Sequence, residues 1–499
     1  MAERAGGVVK AALAVLGTAS DVGKSVITTG LCRLLADEGF NVAPFKAQNM
    51  ANQAGVTRDG LEMPRAQILQ AHASRHEPHV DMGPILLKPV SQTGAQLIVL
   101  GTVAGHVEAK HYFDDTSALA SIALDALRRL ADRHDVIVLE GAGSPVEINL
   151  WPRDFVNLRA ARAVGAGLVL VADIDRGGVF AQVKGTLDLL PAEDRERVMG
   201  IVVNRFRGDP ALFEGGVTML EKLAGVPVLA VVPHLDHGLD EEDRPLSIPV
   251  NRPAPEGMLR VGALLGPAVS NTDDLAPLLA EPDVHLTWLT DPRLVAGQDL
   301  VILPASKATV ADLVHHTVSG MAEAVREAHR SGAWVLGLCG GYQMLGMHLD
   351  DRAGTEGGPS SWPGLGLLPI CTVFESEKRT RQSRAVSAWP LAGAALSGYE
   401  IRHGRSHAAT KDGEPLVLQV GAEIGWRRGR ALGCYLHGLL ASDEWRAAFL
   451  NHVRKDRGRR AQPIRVADAL DVRIDRWAQH LKRSFRGGEW ERLLAGMLS

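Results

Sequence analysis

The sequence has few of the features that would place it in a special class of protein. Four cysteines in 499 residues are too few for a disulfide framework, which favours reduced thiols and a cytoplasmic location. A formal net charge of −4 gives no electrostatic reason to expect binding to nucleic acid or to a membrane. No apolar run is long enough to span a bilayer, and the run at residues 11–16 is too short for a signal peptide. A hydrophobic content of 46% with 22% charged residues is typical of an ordinary globular protein.

The length indicates more than one domain, since single hydrophobic cores stop growing near about 250–300 residues. Short apolar runs alternate with segments of helix length, a pattern typical of parallel α/β structure. We expect α/β domains at residues 1–240 and 258–450, joined by a linker at 241–257 that is rich in proline and charge. A basic amphipathic helical extension is expected at 451–499, packed on the second domain with a solvated outer face. The sequence does not indicate an oligomeric state.

A candidate phosphate-binding loop, GTASDVGKS, lies at residues 17–25 between an apolar run and a helix-like segment. The backbone N–H groups of such a loop bind phosphates, together with the N-terminus of the helix that follows. Lys24 is expected to reach the terminal phosphates of ATP, and the Ser25 hydroxyl to ligate Mg²⁺. Gly23 precedes the lysine, and Thr18 stands where the motif usually has its first glycine.

Other polar residues end apolar runs in the same half of the chain. Glu140 does so before two glycines, the position of a Mg²⁺ carboxylate in nucleotide-binding sheets, although a carboxylate that caps a helix or turn is an alternative. Lys46 and Lys88 follow similar runs and are candidates for binding a second anionic ligand. With Gln48 and Asn49 beside Lys46, they are the expected contacts to substrate or phosphate. Surface lysines without function are the alternative.

The segment GLCGG at residues 337–341 predicts a strand, a sharp turn and a helix, with Cys339 at the turn. Small neighbours suit a nucleophile in such a turn, because a Cβ would clash there. The thiol is expected to be exposed and easily ionised. A buried inert thiol is the alternative, and the four glycines between residues 337 and 346 argue against it.

His437 follows the apolar run at residues 432–436, which places it at the same sheet edge as Cys339 if the strands are parallel. A cysteine–histidine pair can attack a carboxamide and release ammonia. The expected oxyanion donors are the N–H groups of Gly340 and of the loop at residues 304–307, where Ser306 lies. The pair predicts glutamine hydrolysis.

Several long segments, in order, resemble the cobyric acid synthase family over nearly the whole chain. They are residues 17–25, 45–50, 81–89, 139–149, 172–180, 203–209, 303–307, 337–343 and 398–403. The first half also resembles dethiobiotin synthetase, a P-loop enzyme that phosphorylates a carboxylate. The resemblance implies a P-loop domain with a parallel sheet, followed by a class I (triad-type) glutamine amidotransferase α/β domain.

The resemblance also implies an activity and the roles of residues. Four carboxylates of adenosylcobyrinic acid a,c-diamide, at positions b, d, e and g, would become amides, with ATP, Mg²⁺ and glutamine consumed or bound. Cys339 would be the nucleophile and His437 its base. Lys24 and Ser25 would hold ATP and Mg²⁺, Glu140 would be a further Mg²⁺ ligand, and Asn204 would lie near the adenine.

Two departures from related enzymes stand out. Triad amidotransferases place a glutamate two residues after the histidine, where this chain has Leu439, so the residue that orients His437 is open. The oxyanion loop has Ala305 where the family usually has glycine, and Ala305 would be strained if that turn needs a positive φ.

Three rival functions remain at this stage. They are a cobyrinic acid a,c-diamide synthase acting on two earlier carboxylates, an ATP-switched partitioning or maturation protein, and a glutaminase with an inactive nucleotide domain. The Cys339 turn argues against the second, and intact Lys24, Ser25 and Glu140 argue against the third.

Overall fold

The computed structural model describes residues 11–89, 94–108, 116–239, 248–356, 358–419, 422–466 and 468–499. Residues 241–247 of the expected linker lie outside these ranges. Of the helices in the described ranges, none combines the length and the apolar character needed to cross a bilayer.

The first half of the chain alternates strands and helices. Its strands are β1 (Ala11–Gly17), β2 (Val42–Phe45), β3 (Asn49–Met50), β4 (Ala54–Val56), β5 (Glu62–Pro64), β6 (Ile85–Pro89), β7 (Gly94–Val99), β8 (Thr102–Glu108), β9 (Val136–Glu140), β10 (Gly167–Asp173), β11 (Val198–Phe206) and β12 (Val228–Pro233). Its helices are α1 (Lys24–Asp37), α2 (Arg65–Ala73), α3 (Ser117–Ala131), α4 (Leu158–Ala163), α5 (Val179–Leu189), α6 (Ala192–Arg195) and α7 (Glu214–Ala224).

A parallel sheet forms the centre of this half, in the order β12–β11–β10–β1–β9–β2. Its strands are apolar on both faces because helices cover both sides. The phosphate loop follows β1, and Glu140 ends the neighbouring strand β9. Since β1 and β9 run in parallel, the loop and the carboxylate come to the same edge of the sheet, as predicted.

A smaller sheet, β3–β6–β7–β8, and the hairpin β4–β5 stand beside the parallel sheet. They contact the second half of the chain. Ala54, Val56, Leu86 and Ile98 pack with Tyr399 and Ile401 in one apolar cluster.

The second half contains a mixed sheet. Its strands are β13 (Leu259–Leu264), β14 (Val284–Leu289), β15 (Leu300–Leu303), β16 (Trp334–Leu338), β17 (His348–Asp351), β18 (Ser360–Pro363), β19 (Ile370–Ser387), β20 (Ala395–Ala408), β21 (Glu414–Gln419), β22 (Ala422–Arg428) and β23 (Ala431–Cys434). Its helices are α8 (Ala276–Leu279), α9 (Thr309–Val318), α10 (Met321–Arg330), α11 (Gly340–Met344) and α12 (Asp443–Asp456).

The strands β14–β13–β15–β16–β23 are parallel, and β22, β21 and β19 continue the sheet in antiparallel fashion. Strand β16 ends directly before Cys339, and its parallel neighbour β23 ends three residues before His437. This register brings the two predicted catalytic residues to one edge.

The last two helices, α13 (Leu470–Ser484) and α14 (Glu489–Leu498), pack on the first domain. The indole N–H of Trp477 donates to the carbonyl of Val26 at 2.6 Å, and a Cβ on Gly30 would lie 2.6 Å from a methyl carbon of Leu481. The expectation that this extension packs on the second domain is wrong. An amphipathic stripe shows that one face of a helix is buried, but it does not show which surface covers that face. Here Gly30 on α1 has no side chain, which leaves space for Leu481 of α13.

Candidate active sites

The sharp turn predicted at Cys339 is present. Cys339 has φ +48° and ψ −104°, between β16 and α11. The turn needs glycine nearby, since a Cβ on Gly341 would lie 1.9 Å from the carbonyl oxygen of Leu303. Backbone strain of this kind recurs where a nucleophile must project from a sheet edge.

Cys339 is only 7% exposed, so the expectation of an exposed thiol is wrong. Strand β20 crosses over the thiol, and Sγ lies 3.5 Å from the carbonyl oxygen of Ile401. The side chain nevertheless lines a cavity with His437, Ser306 and other residues of both domains. The thiol is therefore buried, but it lies on the wall of a cavity.

His437 is held on both sides. Its Nδ1 lies 2.7 Å from Oδ2 of Asp274, and it shares a side-chain hydrogen bond with Cys339. The ring stacks on Tyr399, with centroids 4.9 Å apart and planes 14° apart. Asp274 also accepts the N–H of Gly438 at 2.8 Å. Asp274 thus takes the orienting position that the sequence left open.

The sequence signal for Asp274 was weak. It is one of two adjacent aspartates in a 3-10 helix, ten residues after the end of β13 at Leu264 and far from His437 in the chain. Since β13 belongs to the same parallel sheet as β16 and β23, its carboxyl end faces the same edge. A search of the whole connection that follows each strand of that sheet could have found it.

The charges around His437 favour its protonated form. Burial by itself lowers the pKa of His437, but the negative charges of Asp274 and of the Cys339 thiolate outweigh burial and raise that pKa well above its ordinary value. An imidazolium beside a thiolate is the charge state that a cysteine nucleophile needs.

The predicted oxyanion donors lie side by side. A Cβ on Gly340 would be 2.8 Å from the backbone nitrogen of Ser306, so the two backbone segments are in close approach. The Ser306 hydroxyl donates to Asp312 at 2.7 Å, which fixes the loop. Ala305 does not adopt a positive φ, and the strain considered for it does not arise.

The phosphate loop has the expected local structure. Gly23 has φ +92°, in the left-handed region that favours glycine, and α1 begins at Lys24. Lys24 Nζ donates to the carbonyl oxygens of Ala19 at 3.2 Å and Gly143 at 3.0 Å. The ammonium group is therefore held over the loop, where phosphates would bind.

Ser25 and Glu140 meet as the sequence predicts. The Ser25 hydroxyl donates to Oε1 of Glu140 at 2.7 Å, and Lys46 Nζ lies 2.9 Å from the same oxygen. Gln70 donates to the other oxygen. These partners are side chains of other segments, so Glu140 does not serve here as a helix cap.

The donor set fits Mg²⁺. A hydroxyl and a carboxylate are hard oxygen ligands, and Mg²⁺ is commonly bound by one or two carboxylates together with phosphate oxygens and water. In the described ranges no group of three or more His, Cys, Asp or Glu side chains is placed to hold a metal ion. Phosphate oxygens and water would have to supply the remaining ligands.

Of four other predicted residues, Thr18 lies in the loop, Asn204 contacts it, and Gln48 and Asn49 follow Lys46. Asn204 donates to the carbonyl of Val22 at 2.9 Å, and Thr18 donates to Gln182 at 3.2 Å. Asn49 donates to Gln67, which contacts Gln70 and through it Glu140. Gln48 is half-buried between Lys46 and Asn49.

The comparisons with known proteins match each half of the chain to a known domain. Residues 13–245 match the CobQ/CobB/MinD/ParA nucleotide binding domain, and residues 260–445 match the CobB/CobQ-like glutamine amidotransferase domain. A cobyric acid synthase of Chlorobium phaeobacteroides is 46% identical over 489 residues, which covers 94% of this chain and 96% of the relative. A cobyric acid synthase of Chlorobaculum tepidum is 47% identical over 453 residues, which covers 88% of this chain and 90% of the relative.

The chain belongs to the cobyric acid synthase family. It is therefore an amidating ligase of cobalamin biosynthesis with a glutamine amidotransferase domain, as the resemblance implied. A solved glutamine amidotransferase also matches, at a TM-score of 0.31 and 15% identity, over 40% of this chain and 98% of its own. The glutaminase domain distinguishes this family member from a partitioning protein.

Lys88, the second lysine predicted to bind an anion, pairs with a different carboxylate from Lys46. Its Nζ lies 2.9 Å from Oε1 of Glu62, and it lines the cavity that contains Cys339. At 2% exposure it is also no surface lysine. Lys378 of the second domain pairs with the other oxygen of Glu62, so the cavity wall is built by both domains.

The cavity carries unusual charges. Burial lowers the pKa of Lys307 well below its ordinary value, and the charges of Lys378 and Lys88 lower it further. Burial raises the pKa of Glu356 to about 7. Burial would also raise the pKa of Glu62, but the lysines beside it outweigh burial and hold that pKa low. The cavity is lined by three lysines, Lys88, Lys307 and Lys378, together with Glu356.

Proposed function

We propose that this chain amidates the b, d, e and g carboxylates of adenosylcobyrinic acid a,c-diamide to give adenosylcobyric acid, with ATP, Mg²⁺ and glutamine. The observation that carries the proposal is that one chain of this family holds a Cys339–His437–Asp274 triad and a Lys24–Ser25–Glu140 phosphate site. The triad suits release of ammonia, and the phosphate site suits activation of the acid that captures it.

Glutamine hydrolysis begins with attack of the Cys339 thiolate on the side-chain amide carbon. The N–H groups of Gly340 and Ser306 would stabilise the oxyanion. His437 gives its proton to the departing nitrogen, so that NH₃ leaves and a thioester remains. Water, deprotonated by His437, then hydrolyses the thioester and returns glutamate and the thiolate.

The charges of the cavity would orient glutamine. The α-carboxylate would accept hydrogen bonds from the buried Nζ groups of Lys307 and Lys378, and the α-ammonium would pair with Glu356. All three residues line the same cavity as Cys339. Glutamine would then enter with its amide directed to the thiol.

The first domain would activate the acid. A carboxylate resists attack by ammonia because its charge is delocalised and oxide is a poor leaving group. Transfer of the γ-phosphoryl group to a carboxylate oxygen releases ADP and forms an acyl phosphate, and Lys24 would stabilise the charge on the phosphates. Mg²⁺, held by Ser25 and Glu140, would supply further charge neutralisation. Ammonia then attacks the acyl carbon and phosphate leaves.

The test is incubation with cobyrinic acid a,c-diamide in its adenosyl form, ATP, Mg²⁺ and glutamine, followed by mass spectrometry. Four successive replacements of OH by NH₂ are expected. An unaltered corrin would refute the proposal. Amidation of cobyrinic acid at positions a and c, with no reaction of the diamide, would indicate the related a,c-diamide synthase instead.

Two variants test the division of labour. Cys339→Ala is expected to abolish glutamine-driven amidation but to keep amidation driven by added ammonium salts. Lys24→Ala is expected to stop amidation from either nitrogen source while basal glutamine hydrolysis continues. A folded Cys339→Ala protein that has lost both activities would contradict the proposal.

A further inference from the structure

The first domain holds the short segment that carries Asp274. This segment is a 3-10 helix, Thr272–Leu275. Gln53, which lies between β3 and β4, makes two hydrogen bonds to Thr272. Its Nε2 donates to the Thr272 hydroxyl at 2.9 Å, and its Oε1 accepts the Thr272 backbone N–H at 3.1 Å. Both residues are buried.

A second contact from the first domain reaches the other support of His437. The carbonyl oxygen of Ala54 accepts from Asn271 Nδ2 at 2.8 Å and from the Tyr399 hydroxyl at 3.2 Å. Asn271 also donates to the Tyr399 hydroxyl at 2.9 Å. Tyr399 is the residue that stacks on His437. Adjacent residues of the first domain therefore contact both the segment of Asp274 and the ring partner of the imidazole.

An ion pair adds to this contact. Arg65 at the start of α2 lies 3.3 Å from Asp273, the neighbour of Asp274. A single turn of 3-10 helix has poor hydrogen-bond geometry of its own, so neighbouring structure determines its position. Here much of that neighbouring structure belongs to the other domain.

We propose that Gln53 is a positioning residue for glutamine hydrolysis, acting from the first domain through Thr272 on the contact between Asp274 and His437. The inference rests on the proposed function and extends it. Errors of about 1 Å in the placement of a catalytic group can cost up to about a hundredfold in rate. Ammonia would then be released efficiently only while the first domain is docked on the second.

The position of Gln53 in the chain also connects the triad to the phosphate site. The segment that ends at Gln53 and Ala54 begins near Lys46, which pairs with Glu140 at the phosphate site. The segment at residues 46–54 thus contacts both the phosphate site and the residues that support the triad. A displacement of this segment would therefore move the residues that position the triad.

The test compares Gln53→Met with a matched control, Gln382→Ala. Methionine keeps most of the volume of Gln53 but makes neither hydrogen bond. Gln382 donates to the carbonyl of Val56, so its loss removes another bond between the same two domains without touching residues 271–275. Both proteins are assayed for glutamine hydrolysis and for amidation with ammonium salts.

Gln53→Met is expected to lower kcat for glutamine hydrolysis about tenfold, because the variant loses the two hydrogen bonds that position Thr272. The KM for glutamine is expected to stay within about twofold of wild type. Gln382→Ala is expected to keep the wild-type kcat, and both variants to keep ammonia-driven amidation. Thr272→Val combined with Gln53→Met is expected to be no slower than the slower single variant, because the two residues act as one unit.

Three results would overturn the inference: a wild-type kcat in Gln53→Met, an equal loss in Gln382→Ala, or loss of ammonia-driven amidation in Gln53→Met. A wild-type protein that hydrolyses no glutamine would instead refute the proposed function. The two failures are therefore distinguishable.

Discussion

The carboxylate of Asp274 lies 2.7 Å from Nδ1 of His437, although 163 residues separate them in the chain. This contact leaves the other ring nitrogen for Cys339 and fixes the orientation of the imidazole. Triad amidotransferases that use a glutamate two residues after the histidine obtain the same contact locally. Here Leu439 occupies that place, and the 3-10 helix Thr272–Leu275 supplies the carboxylate.

Asp274→Asn is expected to lower kcat for glutamine hydrolysis about a hundredfold or more, since a neutral amide neither stabilises the imidazolium nor enforces its orientation. Ammonia-driven amidation should persist, because Asp274 takes no part in the phosphate site. Steady-state release of glutamate measures the first, and amidation with ammonium salts the second. A variant that hydrolyses glutamine at the wild-type rate would exclude Asp274 from the triad.

The same variant should change the pH profile. The pKa of His437 is raised, so the imidazolium is present at low pH and is lost as pH rises through that pKa. Of the groups that face His437, namely Asp274, Cys339 and Tyr399, Asp274 contributes much of the raising charge. In Asp274→Asn the alkaline limb of kcat/KM for glutamine should move to lower pH. A limb at its wild-type position would contradict this assignment.

Glu356 should control the affinity for glutamine. Burial raises the pKa of its carboxyl to about 7, against the attraction of Lys307. The ionised form binds an α-ammonium and grows as pH rises through that value, so KM for glutamine should fall between about pH 6 and pH 8. Glu356→Gln should raise KM about tenfold and remove this dependence.

The control is Glu375→Gln, at a half-exposed residue of β19 that pairs with Arg405 of β20 and does not line the cavity. It should behave as wild type. A pH-dependent KM that survives in Glu356→Gln would show that another group binds the α-ammonium.

Glu140→Gln is expected to lower the free energy of unfolding by about 3 kcal/mol, because it removes the carboxylate charge that pairs with buried Lys46. Adding Lys46→Met should recover most of that stability, since the buried charge is then gone as well. Neither protein should amidate the corrin if Glu140 binds Mg²⁺. Urea unfolding and ADP release measure the two effects, and an active double variant would argue against a metal-binding role.

Asp475→Ala is expected to destabilise the first domain by about 1–2 kcal/mol, because it removes one of the two carboxylates that pair with Arg33, the other being Asp471. Asp475 accepts from Arg33 at 2.7 Å, and the Arg33 side chain is fully buried beneath α13. Asp468 pairs with Arg476 where both are half-exposed, so Asp468→Ala should cost less than about 0.5 kcal/mol. Thermal unfolding of the two variants compares them directly, and equal melting temperatures would contradict the role given to Arg33.

Local patterns predicted much of this structure. The phosphate loop, the strand end at Glu140 and the turn at Cys339 are each specified by a few consecutive residues whose backbone geometry depends on glycine. Parallel strands then bring such ends to one edge of a sheet. For this reason Ser25 contacts Glu140, and Cys339 contacts His437. The comparisons with known proteins confirmed the family and the fold.

The remainder depended on contacts between distant segments. Asp274, the burial of Cys339 beneath β20 and the partner of α13 are set by how separate elements pack, and no short pattern records that. Lys88 shows the same limit. Its place at a strand end was visible, but the side chain pairs with Glu62 at the junction of the domains.

The return of α13 and α14 to the first domain has a consequence for how the protein is made. Residues 470–498 cover the apolar face of α1 around Gly30 and Leu31, and they are translated after the whole glutaminase half. The nucleotide-binding half, although translated first, reaches its final packing only after the glutaminase half has been synthesised. Nascent chains cut short before residue 470 would therefore carry an exposed hydrophobic surface and be targets for chaperones and proteases.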